Sequence, residues 1–121
     1  MLLEDSIDLA RVLVEYLEAT GFEVEVANTG AVALRWFSQS SFDVAVVDID
    51  LPDINGFDVV GVAHELGCLR NTKVVFCTGN RSEEYRQRAA RFPGSSFLWK
   101  PFFLQNLLKC IEGPPATAEP S

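Results

Sequence analysis

Several features that would mark a membrane, secreted or nucleic-acid-binding chain are scarce or missing. No apolar run approaches the roughly 20 residues that a bilayer span needs, and no basic segment precedes an apolar stretch near the N-terminus. A cytoplasmic chain without a membrane partner is expected. Cysteine is sparse: Cys68, Cys77 and Cys110 are odd in number and lack a CxxC spacing. That suits a reducing compartment better than a disulfide framework. The single histidine, His64, precedes Cys68 by four positions on a predicted helix, but no third ligand of that type lies nearby to complete a zinc site. Basic residues are also few. Ten Lys+Arg against 17 Asp+Glu give a net charge of −7, and phosphate backbones need Lys/Arg stripes, so no direct contact with nucleic acid is expected.

What is present describes an ordinary globular domain. The 121 residues, 48% hydrophobic and 22% charged, are enough for one core without disulfide or metal staples. Charge is unevenly placed. Residues 1–65 carry 13 acidic and two basic side chains, whereas 66–121 carry four acidic and eight basic. The acidic half suggests a site for a divalent cation. Arg81, Arg86, Arg88 and Arg91 form either a docking face or simply a solvated helix face.

Apolar patterning alternates between strand and helix. Met1–Leu3 reads as a short first strand, and Ser6 caps a helix whose stripe is Ala10, Leu13, Val14 and Leu17, closed by Gly21. Phe22, Val24 and Val26 alternate with Glu23 and Glu25, as in a half-exposed edge strand. Thr29 caps a second helix through Ala33, Leu34 and Phe37. Val44–Val47 is a continuous apolar run ending at Asp48, the pattern of a strand buried on both faces, and Pro52, Asn55 and Gly56 form the turn that leaves it. Gly56, Val59, Val60 and Ala63 carry a third helix ended by Gly67. Lys73–Cys77 is a second buried strand, followed by a turn at Thr78–Asn80 and a fourth helix capped by Ser82, with a poor apolar stripe. Phe97–Trp99 is the last strand, and Leu104, Leu107, Leu108 and Ile111 mark a fifth helix. The Pro-rich segment 113–121 is expected to be a disordered tail after a single domain over 1–112.

Five strands alternating with five helices define an α/β fold with a parallel sheet and right-handed crossovers. In a flavodoxin-like, doubly wound sheet of order 2-1-3-4-5, the carboxyl ends of strands one, three, four and five open into one cleft. They would deliver Glu4 and Asp5, Asp48, Thr78, and Lys100. Clustered carboxylates favour a hard divalent cation such as Mg2+, one carboxylate can act as a nucleophile toward phosphorus, and an ammonium and a hydroxyl can hold the other phosphoryl oxygens.

These residues resemble the signature of the response-regulator receiver domain. Glu4-Asp5, Asp48 with Leu51-Pro52 and Gly56, Thr78, Phe97 and Lys100-Pro101-Phe102 occur in that order, with Lys100 22 positions after Thr78. The resemblance implies that Asp48 takes a phosphoryl group from a histidine kinase or a histidine phosphotransfer protein. It implies Mg2+ bound by Asp5, Asp48 and the backbone carbonyl of Asp50, with Glu4 acting through water. Lys100 and Thr78 would hold the phosphoryl group, and Phe97 would turn inward as Thr78 moves. The readout would be the face formed by the fourth helix, the fifth strand and the fifth helix, meeting an output partner of unknown identity or a second copy in a homodimer. The Lys100–Pro101 bond would be cis. Asp50 and Asn80, each two positions beyond a reacting residue, would tune hydrolysis by placing water. The sequence departs from the usual pattern in its short first strand and in Glu4, where aspartate is commoner.

Two rivals remain at this point. A receiver-shaped adaptor would bind partners without ever being phosphorylated. Asp48-x-Asp50 also resembles the DxD of haloacid dehalogenase-type phosphatases, but that motif belongs after a first strand rather than a third.

Overall fold

The computed structural model describes residues 1–114 and 117–118. In chain order the elements are β1 (Leu2–Leu3), α1 (Ile7–Ala19), β2 (Val26–Ala27), α2 (Gly30–Gln39), β3 (Val44–Asp48), α3 (Gly56–Glu65), β4 (Lys73–Thr78), α4 (Glu83–Ala89), β5 (Ser96–Trp99), α5 (Leu104–Glu112) and β6 (Thr117–Ala118). All strand pairs are parallel, and the order across the sheet is β2-β1-β3-β4-β5-β6. The expected 2-1-3-4-5 arrangement with five helices is therefore present.

Strand alternation divides the core into two layers. Leu3, Val47, Phe76, Phe97 and Trp99 point into one layer, with Phe37 from α2 and Phe57, Val59 and Val60 from α3. Leu2, Val46, Val75, Cys77 and Leu98 point into the other, with Leu13 and Leu17 from α1 and Leu107 and Ile111 from α5. Continuous burial along β3 and β4 follows from having helices on both faces. Ser6, Thr29 and Ser82 accept hydrogen bonds from the backbone N–H groups of Leu9, Val32 and Tyr85, starting α1, α2 and α4 as their positions predict.

Two expectations need correction. The edge strand read from Phe22 to Val26 is laddered only at Val26–Ala27, because β1 offers just Leu2 and Leu3 as partners. Alternation marks which side chains are wet, not how many backbone groups find a neighbour. The tail expected to be disordered contributes a sixth strand, in which Thr117 and Ala118 pair with Phe97 and Leu98. The open edge of β5 presents unpaired backbone groups that an extended segment can satisfy whatever its side chains. Residues 115, 116 and 119–121, the rest of that expectation, lie outside the described residues.

Candidate functional site

The sheet order reverses between β1 and β3: one connection from β1 runs to β2, and the next crosses back to β3 on the other side. Such a switch point opens a cleft beyond the carboxyl ends of the strands. Glu4 and Asp5 follow β1 into it, and Asp48 ends β3. Glu4 and Asp48 are only 2% and 4% exposed, whereas Asp5 is open to solvent. One carboxylate oxygen from each of the three lies within 4.8 Å of the others.

Lys100 reaches this cluster from the end of β5. Its Nζ donates to Glu4 Oε1 at 2.7 Å and stands 3.5 Å from Asp48 Oδ2. The Lys100–Pro101 bond is cis. Burial pushes the Asp48 carboxyl up to about 7, and the neighbouring Glu4 charge adds to that; Lys100 and the Asp50 N–H, which donates to Oδ1 at 3.1 Å, pull the other way. Burial alone would lower the Lys100 ammonium, but its hydrogen bond to Glu4 and the charge of Asp48 outweigh this and raise it. One ammonium thus faces several carboxylates, two of them buried. A hard dication is what such a set of oxygen donors suits, and the residues present fit Mg2+.

The loop after β3 is held in shape from three directions. Asn55 Oδ1 accepts from the Phe57 N–H at 2.9 Å and begins α3, while the Gly56 N–H donates back to Ile49 O at 2.8 Å. Gly56 is less a turn residue than a point of close approach. A Cβ there would stand 2.5 Å from Asp48 O and 2.8 Å from Ile49 Cα. The Asp53 carboxylate accepts the Gly30 and Ala31 N–H groups at 3.0 and 3.1 Å, pinning the loop to the first turn of α2; these bonds hold its carboxyl below the usual range. Nothing local in the sequence pairs Asp53 with Gly30.

Thr78, at the end of β4, directs its hydroxyl to Asp50 Oδ2 and accepts the Asn80 N–H at 3.0 Å. Asp50 Oδ1 accepts a second hydroxyl, that of Tyr85 on α4, at 2.9 Å. Phe97 is 4% exposed and meets the Trp99 ring edge-on, with centroids 5.5 Å apart. The expected residues therefore form two linked groups. Glu4, Asp5, Asp48 and Lys100 converge directly, while Thr78 connects to Asp48 through the Asp50 backbone and carboxylate.

Sequence reasoning missed Tyr85 and Trp99. The Trp99 ring, paired with Thr78 in the β4–β5 register, lies beneath the Arg86 and Arg81 guanidiniums at 4.6 and 5.1 Å. Its spacing of two from Phe97 was the available sign that both rings share one face. Tyr85, three residues past the Ser82 cap, carried no such sign.

A parallel, doubly wound sheet with a carboxylate cluster and a lysine at its switch point defines an α/β domain of the flavodoxin-like class. The sequence model of the response regulator receiver domain matches residues 1–112, and the chain belongs to that family. It is 30% identical to the response regulator receiver protein CpdR of Brucella abortus over 112 residues, 93% of this chain and 92% of that protein. It is 32% identical to the probable transcriptional regulator ycf29 of Pyropia yezoensis over 111 residues, covering 92% of this chain and 50% of that one. The chain spans about half the length of several curated regulators it matches. Among solved structures, the chemotaxis protein CheY4 of Vibrio cholerae superposes with a TM-score of 0.82 at 30% identity, covering 89% of this chain and 90% of that one. The receiver family is a signalling domain rather than a conventional enzyme, and the dehalogenase-type reading of Asp48-x-Asp50 falls away. No helix among the described residues is long and apolar enough to cross a membrane.

Proposed function

We propose that the domain receives a phosphoryl group on Asp48 from a phosphohistidine, on a histidine kinase or a histidine phosphotransfer protein, in the cytoplasm. The observation that carries this is the buried Asp48 carboxylate, with Glu4 and Asp5 oxygens within 4.8 Å and the Lys100 ammonium at 3.5 Å. An Asp48 carboxylate oxygen attacks phosphorus in line, the P–N bond breaks, and its electron pair leaves with the imidazole, which takes up a proton. Asp5, Asp48 and the Asp50 carbonyl would hold Mg2+, with Glu4 acting through water. When bound, the ion offsets the charge of the carboxylates and of the phosphoryl oxygens.

Lys100 supplies a compact positive charge to one phosphoryl oxygen, turning from Glu4 to do so. Thr78 donates its hydroxyl to another. Hydrolysis returns the system: water attacks phosphorus, the P–O bond to Asp48 breaks, and the carboxylate is restored. The α4-β5-α5 face, with the arginines over Trp99, would present the change to an output partner or to a second copy.

Incubation with acetyl phosphate and Mg2+ tests the reading. A gain of one phosphoryl mass is expected, absent in Asp48→Asn and absent when the metal is chelated before the phosphodonor is added. A chain whose mass never changes is a receiver-shaped adaptor instead.

A further inference from the structure

Among the helices of the described residues, α4 buries the fewest side chains. Of its seven residues only Ala89 is buried, whereas α3 buries Gly56, Phe57, Val59, Val60 and Ala63. Two polar tethers do much of the remaining work. Arg88 donates to Asp58 Oδ1 at 3.1 Å and lies over the Phe57 ring at 4.7 Å. Tyr85 sets its ring edge-on to Phe57 and sends its hydroxyl to Asp50 Oδ1 at 2.9 Å. The first tether ends on α3. The second ends on the loop that carries the proposed phosphoryl acceptor.

We infer that Tyr85, acting through Asp50, couples the phosphorylation state of Asp48 to the position of α4; this rests on the reading of Asp48 as acceptor. The coupling follows from proton counting. A threonine hydroxyl has one proton, so Thr78 donates either to Asp50 or to a phosphoryl oxygen, never fully to both. Its oxygen already accepts the Asn80 N–H, which fixes the other side of the group. When Thr78 turns to the phosphoryl group, Asp50 loses one of its two hydroxyl donors. At the same moment a second anion arrives two residues away on the same loop, and like charges repel. Both changes drive the Asp50 carboxylate from its place, and the Tyr85 hydroxyl loses its acceptor or follows it. Either outcome weakens the tether that joins α4 to the site, leaving the Tyr85 hydroxyl with the long 3.5 Å contact from the Asn55 amide on that loop. Phe97 has no polar atom with which to answer Thr78, and its ring is already buried against Trp99. Tyr85 has both the hydroxyl and the connection.

The test is amide hydrogen exchange across residues 83–92 in the full chain, with and without Mg2+ and beryllofluoride as a phosphoryl mimic. Uptake of the mimic is followed separately by fluorine NMR. In the unaltered chain, beryllofluoride should speed α4 exchange by about tenfold, the loss of one hydrogen bond to a charged group. Tyr85→Phe should exchange fast from the start and respond to the mimic by less than about twofold, while still taking it up. Arg88→Ala is the control, because it loosens α4 without touching Asp50 and should keep the full response. A Tyr85→Phe chain that keeps the full response overturns the coupling alone. An unaltered chain that takes up no beryllofluoride overturns the acceptor reading, and the coupling with it.

Discussion

The two helices that flank the β3 and β4 tips differ sharply in how they are held. Helix α3 is welded to the sheet by Phe57, Val59, Val60 and Ala63, and by Gly56 pressed onto the backbone of Asp48 and Ile49. Helix α4 buries Ala89 and is otherwise held by side chains at its surface, among them Tyr85, Arg88 and Arg86 over the Trp99 ring. The difference separates two tasks. An in-line transfer needs its acceptor fixed within a fraction of an ångström, and apolar packing provides that. A readout needs an element that can shift for a few kcal/mol, and polar tethers set such a threshold.

Four perturbations would break or sharpen this contrast. The largest is Gly56→Ala, whose Cβ would sit 2.5 Å from Asp48 O with backbone on both sides. It should cost about 3 kcal/mol in denaturant unfolding, since neither neighbour is a flexible side-chain end; a loss under about 1 kcal/mol would mean the fixed side is softer than argued. Asp48→Asn should act in the opposite direction. The folded protein holds the Asp48 proton up to about pH 7, above the ordinary 3.8, so between those values it binds more protons than the unfolded chain. Stability without divalent cations should therefore fall as pH rises through that window, and Mg2+ should restore it above pH 7 by binding the ionised form. In metal-free buffer at pH 8, Asp48→Asn should add about 2 kcal/mol, and its pH profile should be flatter across the same window.

Asp50→Ala removes the acceptor shared by Thr78 and Tyr85. It should change the lifetime of the phosphorylated form severalfold while costing about 1 kcal/mol of stability; an unchanged decay rate would remove Asp50 from the site. The smallest effect belongs to Arg88→Ala. Its partner Asp58 is largely exposed, so about 0.5 kcal/mol is expected, and a larger loss would show that α4 depends on this pair more than on Tyr85.

Much of the arrangement was legible because it is local. Continuous burial of β3, the caps at Ser6, Thr29 and Ser82, and the acidic ends of β1 and β3 follow from neighbours in sequence. Placing Glu4, Asp48 and Lys100 together needed only the strand order, because parallel strands leave their carboxyl ends on one side. What escaped notice depends on contacts between distant segments. Asp53 reaching Gly30 and Tyr85 reaching Asp50 join loops and helices whose approach no periodicity encodes. Thr117–Ala118 escaped for a different reason: a strand added through its backbone leaves little mark in its side chains. Gly56 was visible as a glycine, but its purpose was not, since close approach and turn formation call for the same residue.

Whether Asp48 is the phosphoryl acceptor is tested most directly by intact-mass analysis of the chain after acetyl phosphate and Mg2+, with the modified residue located by fragmentation. The expected result is one phosphoryl group, carried by Asp48 and absent when a chelator replaces Mg2+ from the start or when Asp48→Asn is used. Modification elsewhere, or none under conditions that preserve the fold, would contradict it.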